Sequence, residues 1–88
     1  MRTFKVFSRQ GCHLCEVMVE ELLPLARGRA LVEVVDVDAD AALREEYGLR
    51  VPVLTCNGRL LCEYHLDPAA VEEALRDRTG NEPEGLPS

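Results

Sequence analysis

Positive charge is in short supply in this chain. Ten Lys and Arg stand against sixteen Asp and Glu, a formal net charge of −6 over 88 residues. An acidic chain has no electrostatic reason to seek nucleic acid or anionic lipid, so neither is expected as a partner. Long apolar runs are missing too; no stretch approaches the ~20 residues that a membrane helix needs. The start, Met1-Arg2-Thr3-Phe4-Lys5, is mildly basic, but the apolar residues after it break off at Ser8-Arg9-Gln10. That is not a secretory leader, and a cytoplasmic location is the expectation. There is no internal repeat, and the length suits one domain with a modest core. With 47% hydrophobic and 30% charged residues the chain should be globular and soluble.

What the chain does have is four cysteines. In a reducing compartment such thiols are catalytic, metal-binding or simply buried, rather than structural disulfides. Two of them form Cys12-x-x-Cys15, between a β-favouring run, Thr3 to Phe7, and an amphipathic run from Leu14 to Leu25. The pair therefore sits where a strand hands over to a helix. Unpaired N–H groups and the positive end of the helix dipole favour a thiolate there, and the thiolate is the nucleophile. Three residues apart on a first helical turn, the sulfurs share a face and can close a disulfide with little movement.

The other elements follow from pattern. In the first strand Phe4 and Val6 share one face and Phe7 takes the other. The apolar stripe of the first helix reads as Leu14, Val17, Met18, Leu22 and Leu25, with Pro24 kinking or ending the helix nearby. Ala30 to Val37 is a β-branched strand. Asp38-Ala39-Asp40 supplies capping side chains for a short helix, Ala41 to Tyr47, with Gly48 expected as a left-handed cap. Tyr47 is expected in the core, under the loop of Pro52; Arg50 is expected at the surface beside that loop. Val53–Cys56 and Arg59–Glu63 flank Asn57-Gly58, a type I′ hairpin signal. Asp67-Pro68 opens a last helix whose inner face is Ala70, Val71, Ala74 and Leu75. The domain should span 1–79, with 80–88 a loose tail.

A metal reading is weaker than a redox one. Cys12 and Cys15 supply two ligands where zinc takes four. With a two-residue turn, Cys56 lies opposite Arg59 and Cys62 opposite Val53, which puts Cys56 and Cys62 on opposite faces. They should be buried or half-buried hydrophobes. His13 has two readings: a neighbour whose protonated ring lowers the pKa of Cys12, or a solvated residue of the first turn. His65 and Tyr64 are expected as loop residues near the same end.

Strand, loop, Cys12-x-x-Cys15 at a helix start, then Val51-Pro52 ahead of a hairpin and a last helix resemble the thioredoxin fold. The chain is similar to minimal glutaredoxins, and to short bacterial glutaredoxin-like proteins with a Gly-Cys-x-Leu-Cys-type start. The resemblance implies an α/β fold of order β-α-β-α-β-β-α, with a four-stranded mixed sheet and helices on both faces. It implies that Cys12 is the nucleophile and Cys15 the resolving thiol. Pro52 would be cis, and the backbone of Val51 would pair with an extended substrate. Arg9 matches the basic residue that many glutaredoxins carry three before the first cysteine; it would stabilise the thiolate and receive a glutathione carboxylate. The departures are plain. The usual Gly-Gly before the last helix is replaced by Cys62-Glu63-Tyr64-His65-Leu66-Asp67, which argues against glutathione. Pro-Tyr between the cysteines is His13-Leu14, and the Trp-Cys-Gly-Pro-Cys start of thioredoxin is absent, as is any tryptophan.

The expected function is thiol–disulfide exchange on a protein disulfide or glutathione, reset by a cellular thiol, with no metal or organic cofactor. The alternative is a non-enzymatic adaptor, or a module holding an iron–sulfur or zinc centre between subunits through Cys12.

Overall fold

Alternation in the first strand decides the layering. In the computed structural model, which describes residues 2–76, β1 (Arg2–Ser8) buries Phe4 and Val6 completely on one side and Phe7 on the other. A strand buried on both faces needs cover on both, and the following elements supply it. They are α1 (His13–Ala26), β2 (Ala30–Asp36), a 3₁₀ turn (Val37–Ala39), α2 (Ala41–Tyr47), β3 (Val53–Cys56), β4 (Arg59–Glu63) and α3 (Pro68–Arg76). The strand order is β2-β1-β3-β4, with β1 parallel to β2 and antiparallel to β3, and β4 antiparallel to β3.

The main core joins Phe4, Val6, Leu54 and Cys56 of the sheet to Met18, Leu22 and Ala26 of α1 and Val71 and Ala74 of α3. A smaller cluster on the opposite face gathers Phe7, Val37 and Val53 with Val35, Leu43, Tyr47 and Val51. Phe7 and Tyr47 stack with ring centroids 4.3 Å apart. So α1 and α3 cover one face and α2 the other, in the expected element order. No helix among the described residues is long and apolar enough to cross a membrane. The expected domain end at 79 and the tail 80–88 lie outside the described residues.

Three expectations need correction. The buried stripe of α1 is Cys15, Met18, Leu22 and Ala26, while Leu14 stands exposed. Small Cys15 and Ala26 let the helix lie close to the sheet, and a reading that follows only large side chains misses them. Gly48 is right-handed helical, φ −55, not a left-handed cap. A Cβ there would meet the Arg44 carbonyl oxygen at 2.5 Å, so close approach is what asks for glycine. The hairpin turn has the expected positive φ at Asn57 and Gly58, and Cys56 faces Arg59. Beyond it, however, Thr55 pairs with Leu60 and Leu54 with Cys62. Leu61 is the extra residue of a β-bulge, so side-chain parity inverts and Cys56 and Cys62 share a face.

Candidate active site

The turn from β1 into α1 sets the position of both sulfurs. Gly11 takes φ +78, a left-handed conformation that a side chain would oppose, and brings the chain round to Cys12. The Cys12 N–H donates to the Arg9 carbonyl at 3.3 Å, closing the turn. Cys12 is the N-cap of α1 with extended backbone, and its sulfur accepts the Cys15 N–H at 3.1 Å. That places on sulfur the cap role that serine or aspartate oxygens usually take. A first-turn N–H and the helix dipole both favour negative charge on this atom. Cys12 and Cys15 are joined as a disulfide with Cα atoms 5.2 Å apart. Cys15 is 3% exposed, whereas Cys12 is only partly buried. Cys12 is therefore the more accessible residue of the pair.

The sheet register brings the proline loop to the same end. Phe7 of β1 faces Val53 of β3, so Ser8, which leads into the Cys12 turn, runs beside Pro52. The Val51–Pro52 bond is cis. The Pro52 carbonyl accepts the Tyr64 N–H at 2.8 Å. The N–H and C=O of Val51 make no hydrogen bond among the described residues. An unpaired backbone unit beside an accessible disulfide can add main-chain bonds to an extended segment.

A glutaredoxin-like domain model (DUF836) matches residues 3–76. The chain belongs to this glutaredoxin-like family. A search of the curated proteins finds no match. Among solved structures, the chain is similar to a structural-genomics target protein from X. campestris: 38% identity, 83% of this chain and 95% of that one covered, TM-score 0.64. It is also similar to a mutant thioredoxin from Halobacterium salinarum, with 27% identity, 85% and 72% covered, and TM-score 0.61. The oxidized form of mitochondrial thioredoxin 3 from Saccharomyces cerevisiae, 23% identical with TM-score 0.60 over 86% and 77%, shares the fold.

Among the groups that flank the cysteines of this glutaredoxin-like domain, Arg9 has partners that the sequence does not announce. Arg9 does not aim a free cation at Cys12. Its Nε and Nη2 donate to the two carboxylate oxygens of Asp38, each at 3.0 Å, and its Nη1 donates to the Gly48 carbonyl at 3.2 Å. The Asp38 carboxyl is held below its ordinary range by that hydrogen bond, and the Arg9 guanidinium is raised by it. Arg50 is held in the same way: Nε and Nη2 donate to one Glu63 oxygen at 3.0 and 2.6 Å, and Nη1 donates to the Glu46 carbonyl at 3.3 Å. It also lies 5.4 Å over the Tyr47 ring. His13 is an exposed first-turn residue, and His65 is exposed in the β4–α3 connection.

Asp38 and Gly48 are the residues that sequence reasoning did not connect with this end of the molecule; Glu63 and Tyr64 were expected near it, but not their bonds to Arg50 and Leu49. Tyr64 takes φ +69, and its hydroxyl donates to the Leu49 carbonyl at 3.2 Å. Cys56 and Cys62 are free, and burial pushes both thiols up from the ordinary value. Among the described residues no three His, Cys, Asp or Glu side chains converge as a metal set would. A groove of about 340 Å³ reaches Cys15 from the β2 side, between Val19 and Val34. A slightly larger one, about 350 Å³, lies around Leu23 and Leu31 at the far end of α1 and bears on no sulfur.

Proposed function

We propose that this protein is a thiol–disulfide oxidoreductase working by dithiol exchange at Cys12 and Cys15, with Val51 and Pro52 receiving the substrate. In the reduced protein the Cys12 thiolate attacks one sulfur of a substrate disulfide. A Cys12–substrate bond forms, the substrate S–S bond breaks, and one substrate thiolate leaves. The Cys15 thiolate then attacks the Cys12 sulfur and releases the second substrate thiolate. Two electrons pass to the substrate, the protons of the two protein thiols end on the product thiols, and the protein is left with the Cys12–Cys15 disulfide. A cellular thiol reductant returns it to the dithiol. A cytoplasmic setting goes with this reading, and the free thiols of Cys56 and Cys62 are in keeping with it.

The observation that carries the proposal is the asymmetry of the pair: a partly exposed sulfur capped by a helix N–H, bonded to a buried one. We assign His13, the exposed residue that follows Cys12, to the substrate-facing side of this turn. The experiment is disulfide reduction by Cys12→Ser. Loss of turnover is expected; a rate equal to wild type removes the mechanism.

A further inference from the structure

We propose, building on the redox reading, that this site takes a disulfide borne on an extended polypeptide with an apolar flanking side chain seated on Leu49, and discriminates against small anionic disulfides. Two independent sets of contacts argue for it, one of charge and one of shape.

Two cations that flank the site, Arg9 and Arg50, carry its charge. Glutathione disulfide carries more carboxylates than ammonium groups, and a site that binds it needs open positive charge. Arg9 is gripped by both oxygens of Asp38 and by the Gly48 carbonyl. Arg50 is gripped by Glu63, by the Glu46 carbonyl, and by the Glu46 carboxylate at 3.7 Å. A substrate carboxylate that takes either guanidinium strands a protein carboxylate, and the chain already carries a net charge of −6. An anionic ligand is therefore repelled at range and meets both of these guanidiniums already paired.

The segment before Pro52 gives the site its shape. Four backbone groups of Gly48 to Arg50 are tied: the Gly48 N–H donates to the Arg44 carbonyl, the Gly48 carbonyl accepts Arg9, the Leu49 carbonyl accepts Tyr64, and the Arg50 N–H donates to the Tyr47 carbonyl. On this frame Leu49 is 91% exposed, and Tyr64, whose hydroxyl bonds the Leu49 carbonyl, is partly open. Single exposed leucines are ordinary. This one stands two residues ahead of the unpaired Val51 backbone, where an extended segment adding main-chain bonds would lay its own side chains. An apolar residue flanking the substrate cystine would cover Leu49 and gain contact area that a short anionic tripeptide does not offer.

The test uses pre-reduced full-length protein in single turnovers, so that no external reductant intervenes. Oxidation of Cys12–Cys15 is followed by alkylation and mass spectrometry. Three disulfides are compared: neutral hydroxyethyl disulfide as reference, glutathione disulfide, and a cystine-bridged pair of uncharged hexapeptides with leucine next to each cysteine. Relative to the reference, glutathione disulfide should react at least about tenfold more slowly than the leucine peptide. Glu63→Gln, which loosens Arg50, should raise the glutathione-to-reference ratio about fivefold. Leu49→Ser should lower the peptide-to-reference ratio about tenfold. A glutathione ratio equal to or above that of the peptide overturns the proposal, as does a peptide ratio unmoved by Leu49→Ser. Failure of the reference disulfide to oxidise the pair is a different result, which removes the redox reading and this inference with it.

Discussion

Two pairs of cysteines lie in one small sheet-and-helix body, and their surroundings differ. Cys12 and Cys15 stand at a helix start, bonded to each other, with a backbone N–H on the outer sulfur. Cys56 and Cys62 lie on one face of a hairpin against the main core, both free. The bulge at Leu61 puts them on the same side, but Cys62 faces Leu54, so the two thiols are diagonal neighbours at roughly 7–8 Å. That is at or beyond the span a disulfide bridges without backbone movement. The same atom type thus has opposite settings: dipole and N–H at one end, desolvation at the other. Spacing alone does not set a thiol's character; the burial and backbone field around it do.

The sharpest way to break the contrast is to remove each pair in turn. Cys56→Ala with Cys62→Ala should leave disulfide reduction within about twofold of wild type, since neither thiol takes part in exchange. Cys15→Ser should lower turnover by on the order of 10³ and leave a mixed disulfide on Cys12, because nothing remains to release it. Intact mass measurement of the stalled species checks this. Loss of activity in the double alanine variant, with folding intact, would erase the distinction. A second measurement reads the thiols directly. In reduced protein at pH 7.5, Cys12 should be alkylated about 10–100-fold faster than Cys56, as peptide mapping over time would report.

How much of this was readable from the chain can be judged residue by residue. The helix start at Cys12, the Asn57-Gly58 hairpin turn and the Asp67 cap rest on local chemistry, and each stands where expected, whereas the Val51-Pro52 loop came from the family resemblance. Asp67 accepts the Ala69 and Ala70 N–H groups at 3.1 and 3.3 Å, as its cap role requires. What the sequence concealed is long-range. Arg9 and Asp38 are 29 residues apart, and the Tyr64 hydroxyl crosses to Leu49 over 15. No spacing rule announces such pairs. The Leu61 bulge was hidden for another reason: hairpin parity is set by the turn only while the ladder stays regular. Gly48 was misread because glycine after a helix has two uses, and the local pattern does not tell positive φ from close approach.

A substitution at Gly48 should disturb one pair and spare the other. Gly48→Ala sets a Cβ against the Arg44 carbonyl oxygen, so the α2 end or the Arg9 contact must shift. A cost of about 1–3 kcal/mol in denaturant unfolding is expected, the ordinary scale for overpacking. The alkylation rate of Cys12 should change while that of Cys56 holds. Equal changes at both would show that the two ends of the sheet are coupled more tightly than their contacts suggest.

The smallest effect comes from the hairpin pair itself, through pH. Burial raises both thiols above their ordinary value, so the folded state keeps protons that the unfolded chain releases first. Their contribution is whole below the unfolded thiol pKa, about 8.5, and is lost as pH rises through the folded values. In the oxidised protein Cys12 and Cys15 do not titrate, so any thiol-linked loss belongs to Cys56 and Cys62. The urea midpoint of oxidised wild type should therefore fall more steeply above about pH 8.5 than that of the double alanine variant, the two curves running parallel below it. Curves parallel through pH 10 would mean that the hairpin thiols are solvated after all, and the opposition between the two pairs would have to rest on the helix start alone.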